Sequence, residues 1–119
     1  MLRKLLISGL VASLPFSTLS AGEVEILDVV ATQSNGTWHF AVTVKHADTG
    51  WDHYADGWEV LTLEGTSLGY RTLAHPHVNE QPFTRALGGI NIPEGITDVM
   101  IRARDTDGWS DTMFNVKLP

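Results

Sequence analysis

The chain has 119 residues, 43% of them apolar, with 14 Asp and Glu against 8 Lys and Arg and no cysteine. A surface this acidic repels phosphate backbones, so a nucleic-acid partner is not expected, and divalent cations or cationic partners suit it better. Without cysteine there is no disulfide staple, so stability has to come from an ordinary apolar core.

Arg3 and Lys4 precede an apolar run at 5–16, and small and polar residues follow as far as Leu19-Ser20-Ala21. That is the three-part layout of a secretory signal peptide, with cleavage expected after Ser20 or Ala21. The chain would then consist of a leader, 1–21, and one domain, 22–119, which is within the usual size of a single domain. Loss of Arg3 and Lys4 leaves six basic residues against 14 acidic ones, a net charge of −8 with His neutral. The apolar run is short for a bilayer span, no second one follows, and no cysteine offers a lipid attachment point, so no membrane anchor is expected. The expected location is the periplasm or the extracellular medium.

Residues 23–32 are rich in Val, Ile and Leu and run into Gln33-Ser34-Asn35-Gly36, where Asn-Gly is a strong hairpin signal. Strand two, 37–46, alternates cleanly: Trp38, Phe40, Val42 and Val44 share one face, while Thr37, His39, Ala41, Thr43 and Lys45 share the other. The same phase turns His46 inward at the end of the strand and leaves His39 in solvent. A polar and aromatic connection, 47–57, carries Asp48, Trp51, Asp52, His53, Tyr54 and Asp56. Strand three follows at 58–63, the turn Glu64-Gly65-Thr66-Ser67 closes it, and strand four is 68–74. Residues 75–82 then place His75, His77 and Glu80 among two prolines before strand five at 83–87. Gly88-Gly89 and Ile92-Pro93-Glu94-Gly95 read as a turn. Strand six, 98–104, directs Val99, Ile101 and Ala103 inward, and after a connection at 105–111, strand seven, 112–118, does the same with Phe114, Val116 and Leu118.

No stretch after the leader shows sustained helical spacing. Seven short strands with regular turn signals predict an all-β, antiparallel, seven-stranded sandwich that resembles the immunoglobulin and fibronectin type III domains. Trp58 would be its buried core tryptophan, although the paired cysteines and a tyrosine corner are missing. Each hairpin reverses the chain, so odd-numbered connections share one end and even-numbered ones the other. The bland turns fall at one end. The connections 47–57, 75–82 and 105–111, with their histidines, tryptophans and carboxylates, fall together at the opposite end, where immunoglobulin-like domains carry recognition loops.

His75 and His77 lie one residue apart, and Pro76 favours an extended His75, so both imidazoles can point the same way. His46, His53 and Glu80 are candidates to complete a metal shell. A nitrogen and oxygen shell without thiolate favours Zn(II) or Cu(II). Alternatively, these imidazoles are structural hydrogen-bonding partners, with Glu80 paired to Arg85 or Arg71. The run Gly69, five residues, His75-Pro76-His77, two residues, Glu80, seven residues, Gly88 also resembles the first motif of the cupin barrels. It is one residue short before the Glu and one long after it, and no histidine follows Pro93-Glu94-Gly95. Asp105-Thr106-Asp107-Gly108-Trp109-Ser110-Asp111 has the look of a calcium loop without its closing Glu or flanking helices. No nucleophile elbow, phosphate cradle or pair of glycosidase carboxylates stands out, which leaves enzymatic activity only through a bound metal.

These features predict a small exported binding protein that takes zinc or copper through His75, His77, His46, His53 and Glu80. Two other roles fit the same loop end. One is a protein-interaction module anchored by Trp51, Tyr54 and Trp109; the other is a carbohydrate-binding sandwich using the same exposed aromatics.

Overall fold

The computed structural model describes residues 23–119, and among them every regular element is a β-strand. The expected leader lies outside the described residues. The strands are β1 Glu25–Ser34, β2 Thr37–Lys45, β3 Ala55–Leu61, β4 Ser67–Thr72, β5 Phe83–Ile90, β6 Asp98–Asp105, β7 Gly108–Trp109 and β8 Phe114–Lys117. One sheet has the order β1-β2-β5; the other runs β4-β3-β6, with β7 and β8 pairing side by side along the far edge of β6. All pairings are antiparallel.

Local chemistry accounts for the first hairpin. Asn35 and Gly36 sit at φ +53° and +83°, the two left-handed positions that a type I′ turn requires and that Asn-Gly accepts with little strain. From that turn β2 alternates as its sequence dictates, and Phe40, Val42 and Val44 are almost wholly excluded from solvent. They meet Trp58 and Val60 of β3 and Val99, Ile101 and Ala103 of β6, so residues of both sheets form one core.

Three features depart from the sequence reading. β1 contains a bulge between Ile26 and Asp28 that leaves Leu27 unpaired and 43% exposed. The bulge shifts the inward phase from Val24 and Ile26 to Val29 and Ala31, so no single alternation spans the strand. Gly88-Gly89 is not a turn. It lies in a second bulge, where three steps of β5 from Leu87 to Ile90 face two of β2 from Phe40 to Trp38, and Gly89 adopts φ +68°. β5 therefore continues to Ile90, which is buried. Finally, the connection expected at 105–111 contains a two-residue strand of its own, giving eight strands rather than seven among the described residues. β7 is a two-residue strand that makes a tight hairpin with Arg104 and Asp105, too short to show any alternation. Between β7 and β8 the chain is held by the N-terminal end of the domain: the Ser110 hydroxyl accepts from Val24 N at 3.0 Å, and Glu23 accepts from the backbone of Asp111 and Thr112.

β3 is covered on both faces. Inside, Trp58 is fully buried; outside, the Tyr70 ring lies directly over the Cα of Gly57, and Arg102 pairs with Glu59 at 3.0 Å. Any side chain at Gly57 would occupy the place of the Tyr70 ring. Because Phe40 is completely buried among residues of both sheets, Phe40→Ala is expected to lower the unfolding free energy by about 3–5 kcal/mol in urea denaturation.

Candidate metal centre

The inward alternation of two strands continues beyond the apolar core. In β2 the series Phe40, Val42, Val44 leads to His46 and then Asp48, both buried; in β6 the series Val99, Ile101, Ala103 leads to Asp105, also buried. One strand belongs to each sheet, so the two series converge at the same end of the core. There His46 Nε2 lies 3.1 Å from Asp105 Oδ2.

His53, in the connection between β2 and β3, completes the group. Its Nε2 is 3.8 Å from the same Asp105 oxygen, and one ligand atom from each of His46, His53 and Asp105 lies within 4.8 Å of the others. Both imidazoles also present Nδ1 to a further carboxylate: His46 to Asp48 Oδ1 at 2.6 Å, and His53 to Asp107 Oδ2 at 3.4 Å. The second oxygen of Asp105 accepts the Asp107 backbone N–H at 2.8 Å. A neutral imidazole carries a single N–H. If that hydrogen on His46 faces Asp48, Nε2 and Asp105 Oδ2 meet lone pair to lone pair, and a proton or a cation has to lie between them.

Asp48 holds the surrounding loops in place. Its Oδ1 accepts from His46 Nδ1 and from Ala55 N at 3.0 Å, and its Oδ2 from His77 N at 2.7 Å. Gln81 reinforces this arrangement, accepting from His46 N and donating to the His77 carbonyl. Thr106 N donates to the Tyr54 carbonyl at 3.1 Å. The connections around 50, 78 and 106 thus meet at one end, as alternating strand direction requires.

Within that end, the sequence candidates separate into groups. His46 and His53 lie together with Asp105, whereas the rings of His75 and His77 are outside that group and His77 is joined to it through its backbone N–H on Asp48. The rings of His75, His77 and Phe83 form a column, with centroids 4.5 and 3.8 Å apart. His77 Nε2 faces Arg85 Nη2 at 2.8 Å. Because guanidinium only donates, Nε2 must be the acceptor and Nδ1 must carry the hydrogen, leaving neutral His77 no lone pair for an ion. Glu80 is exposed. Arg85 is engaged by His77 and Arg71 by the Ala86 carbonyl at 2.8 Å, whereas among the described residues the arginine ion pairs are Arg102 with Glu59 and Arg104 with Asp56. Trp51 is 68% exposed with its ring edge-on to Tyr54. Trp109 stands on the outer face of the larger sheet, with the Arg102 guanidinium 3.9 Å above its ring.

Asp105, Asp48 and Asp107 were not among the sequence candidates for the metal shell. Asp105 was recoverable by carrying the Val99-Ile101-Ala103 alternation one step further. Asp48 was recoverable in the same way from β2. Asp107 stood out in the sequence only as part of the calcium-like run that begins at Asp105. A cleft of about 200 Å³ beside the group is lined by Asp105 and Asp107 together with Glu23 and Asp111.

Burial, then the Arg85 guanidinium, then His75 hold the His77 imidazole below its ordinary 6.5. The unfolded chain therefore takes up this proton first, so the stability tied to His77 is complete above pH 6.5 and declines as pH falls from there toward the folded value. In His77→Gln, the loss of stability between neutral and mildly acidic pH, followed by urea denaturation, is expected to be smaller. Asp48→Ala leaves an imidazole and two backbone N–H groups without their acceptor, and should cost about 3 kcal/mol or more in the same assay.

A protein of Halomicrobium mukohataei named "Putative lipoprotein" is 43% identical to this chain over 95 residues. The match covers 78% of this chain and 46% of that protein, so the chain spans about half the length of the curated relative it matches. No family model and no solved structure matches the chain.

Proposed function

We propose that the chain is an exported metal-binding protein that holds one divalent ion of the zinc or copper(II) class through His46 Nε2, His53 Nε2 and Asp105 Oδ2. The observation that carries this reading is orientation. Both imidazoles direct Nε2 at the same carboxylate oxygen, and both rest Nδ1 against another carboxylate. A carboxylate behind each histidine fixes the tautomer that ligates and makes the ring a better donor, the usual outer partnership of metal-bound imidazole. Charge supports it too: three carboxylates gather around two imidazoles, an excess that a divalent cation offsets. Two nitrogens and one oxygen suit the borderline ions better than calcium or magnesium, which prefer all-oxygen shells.

Export is supported by the N-terminal layout of Arg3, Lys4 and the apolar run, and by the name of the relative. The strand order β1-β2-β5 against β4-β3-β6 with β7 and β8 supports an immunoglobulin-like sandwich of the fibronectin type III kind. Calorimetric titration of the purified, metal-stripped protein with zinc is expected to show one saturable site of micromolar affinity or tighter. His53→Ala should lose that site, because His53 is part of the shell yet partly exposed, so the fold tolerates its removal. His75→Ala should keep it. A parent protein without saturable binding, or a His53→Ala variant that titrates like the parent, refutes the assignment.

A further inference from the structure

The oxygens around the group are already assigned. Asp105 Oδ1 is taken by the Asp107 backbone, so Asp105 faces the imidazoles through one oxygen only. Both oxygens of Asp48 are committed to His46, Ala55 and His77. Asp107 places Oδ2 on His53 Nδ1, the side of the ring away from Asp105, and its side chain is 79% exposed. Among the described residues, three donor atoms therefore converge where zinc takes four. A shell of three protein ligands leaves a position for something from outside.

Resting on the metal-binding reading, we infer that the bound ion keeps an exchangeable coordination position, filled by water at rest and by a neutral nitrogen donor, such as the imidazole of a partner's histidine, when a ligand arrives. Access is on the side of His53, whose side chain is 24% exposed while that of His46 is fully buried. The adjoining cleft shares Asp105 and Asp107 with the group and adds the carboxylates of Glu23 and Asp111. That acidic lining, together with Asp48, leaves the loaded site net negative. An anion approaching the ion meets repulsion, whereas an uncharged imidazole does not. In the exchange the nitrogen lone pair replaces a water molecule, which leaves intact, and nothing is oxidised or reduced.

Cobalt(II) is the probe, because its visible bands report coordination number and ligand exchange. Metal-stripped protein is loaded with cobalt, then titrated separately with imidazole and with azide. The expected result is a saturable change of the visible spectrum with imidazole, at concentrations about tenfold lower than any change with azide. A cobalt spectrum that neither ligand alters would show a closed shell and overturn the inference while leaving metal binding in place. Azide binding as tightly as imidazole would overturn the preference for a neutral donor. The same titration of Asp107→Asn tests for a fourth protein ligand: an imidazole response confined to the variant would mean that Asp107 fills the position, and the inference fails. Protein that acquires no cobalt bands refutes the metal-binding reading itself, and this inference with it.

Discussion

The loop end of this molecule depends on the carboxylate of Asp48. Buried, it is stabilised by three donors that come from different parts of the chain: the His46 ring, the backbone at the start of β3, and the backbone of His77. Each donor that this buried carboxylate orders would be costly to leave unpaired. Asp48 thereby joins the two flanking connections into one body and orients the His46 ring through Nδ1. That orientation turns Nε2 toward Asp105.

The group of His46, His53 and Asp105 sits where it does because strands alternate. An inward position within the span of the core must be apolar, and Phe40, Val42, Val99 and Ile101 obey that constraint. One step beyond the core the inward position still points between the sheets, but the facing residues are now loops that can supply hydrogen bonds. His46 and Asp105 occupy those positions, one from each sheet. Polar groups there are held by the rigidity of the sandwich and, at His53, still reach the solvent.

The outer face of the larger sheet has a different organisation. Tyr70 covers Gly57, Arg102 spans Glu59 and the Trp109 ring, and Arg104 pairs with Asp56. This layer shields β3, which is why nearly all of that strand is buried although its sequence contains Asp56 and Glu59. Trp109 is thus part of the sheet surface, whereas Trp51 projects from the loops with Tyr54 at its side.

Local pattern by itself determined the all-β class, the Asn35-Gly36 hairpin, the inner faces of β2 and β6, and the gathering of three connections at one end. Each depends on period-two alternation or on turn chemistry, which neighbouring residues dictate. The sequence also drew attention to His75 and His77, because two histidines in one short segment are conspicuous to a local reading. Only the tertiary structure decided that the lone pair of His77 is spent on Arg85, and that His46 and His53 belong with Asp105. The separation of 59 residues between His46 and Asp105 leaves no local trace, and a carboxylate in a loop resembles any turn residue until the opposite strand is in place. The same holds for the bulges at Leu27 and at Gly88-Gly89: a glycine pair and an apolar residue read alike in a turn or a strand, and pairing with β2 selects between them.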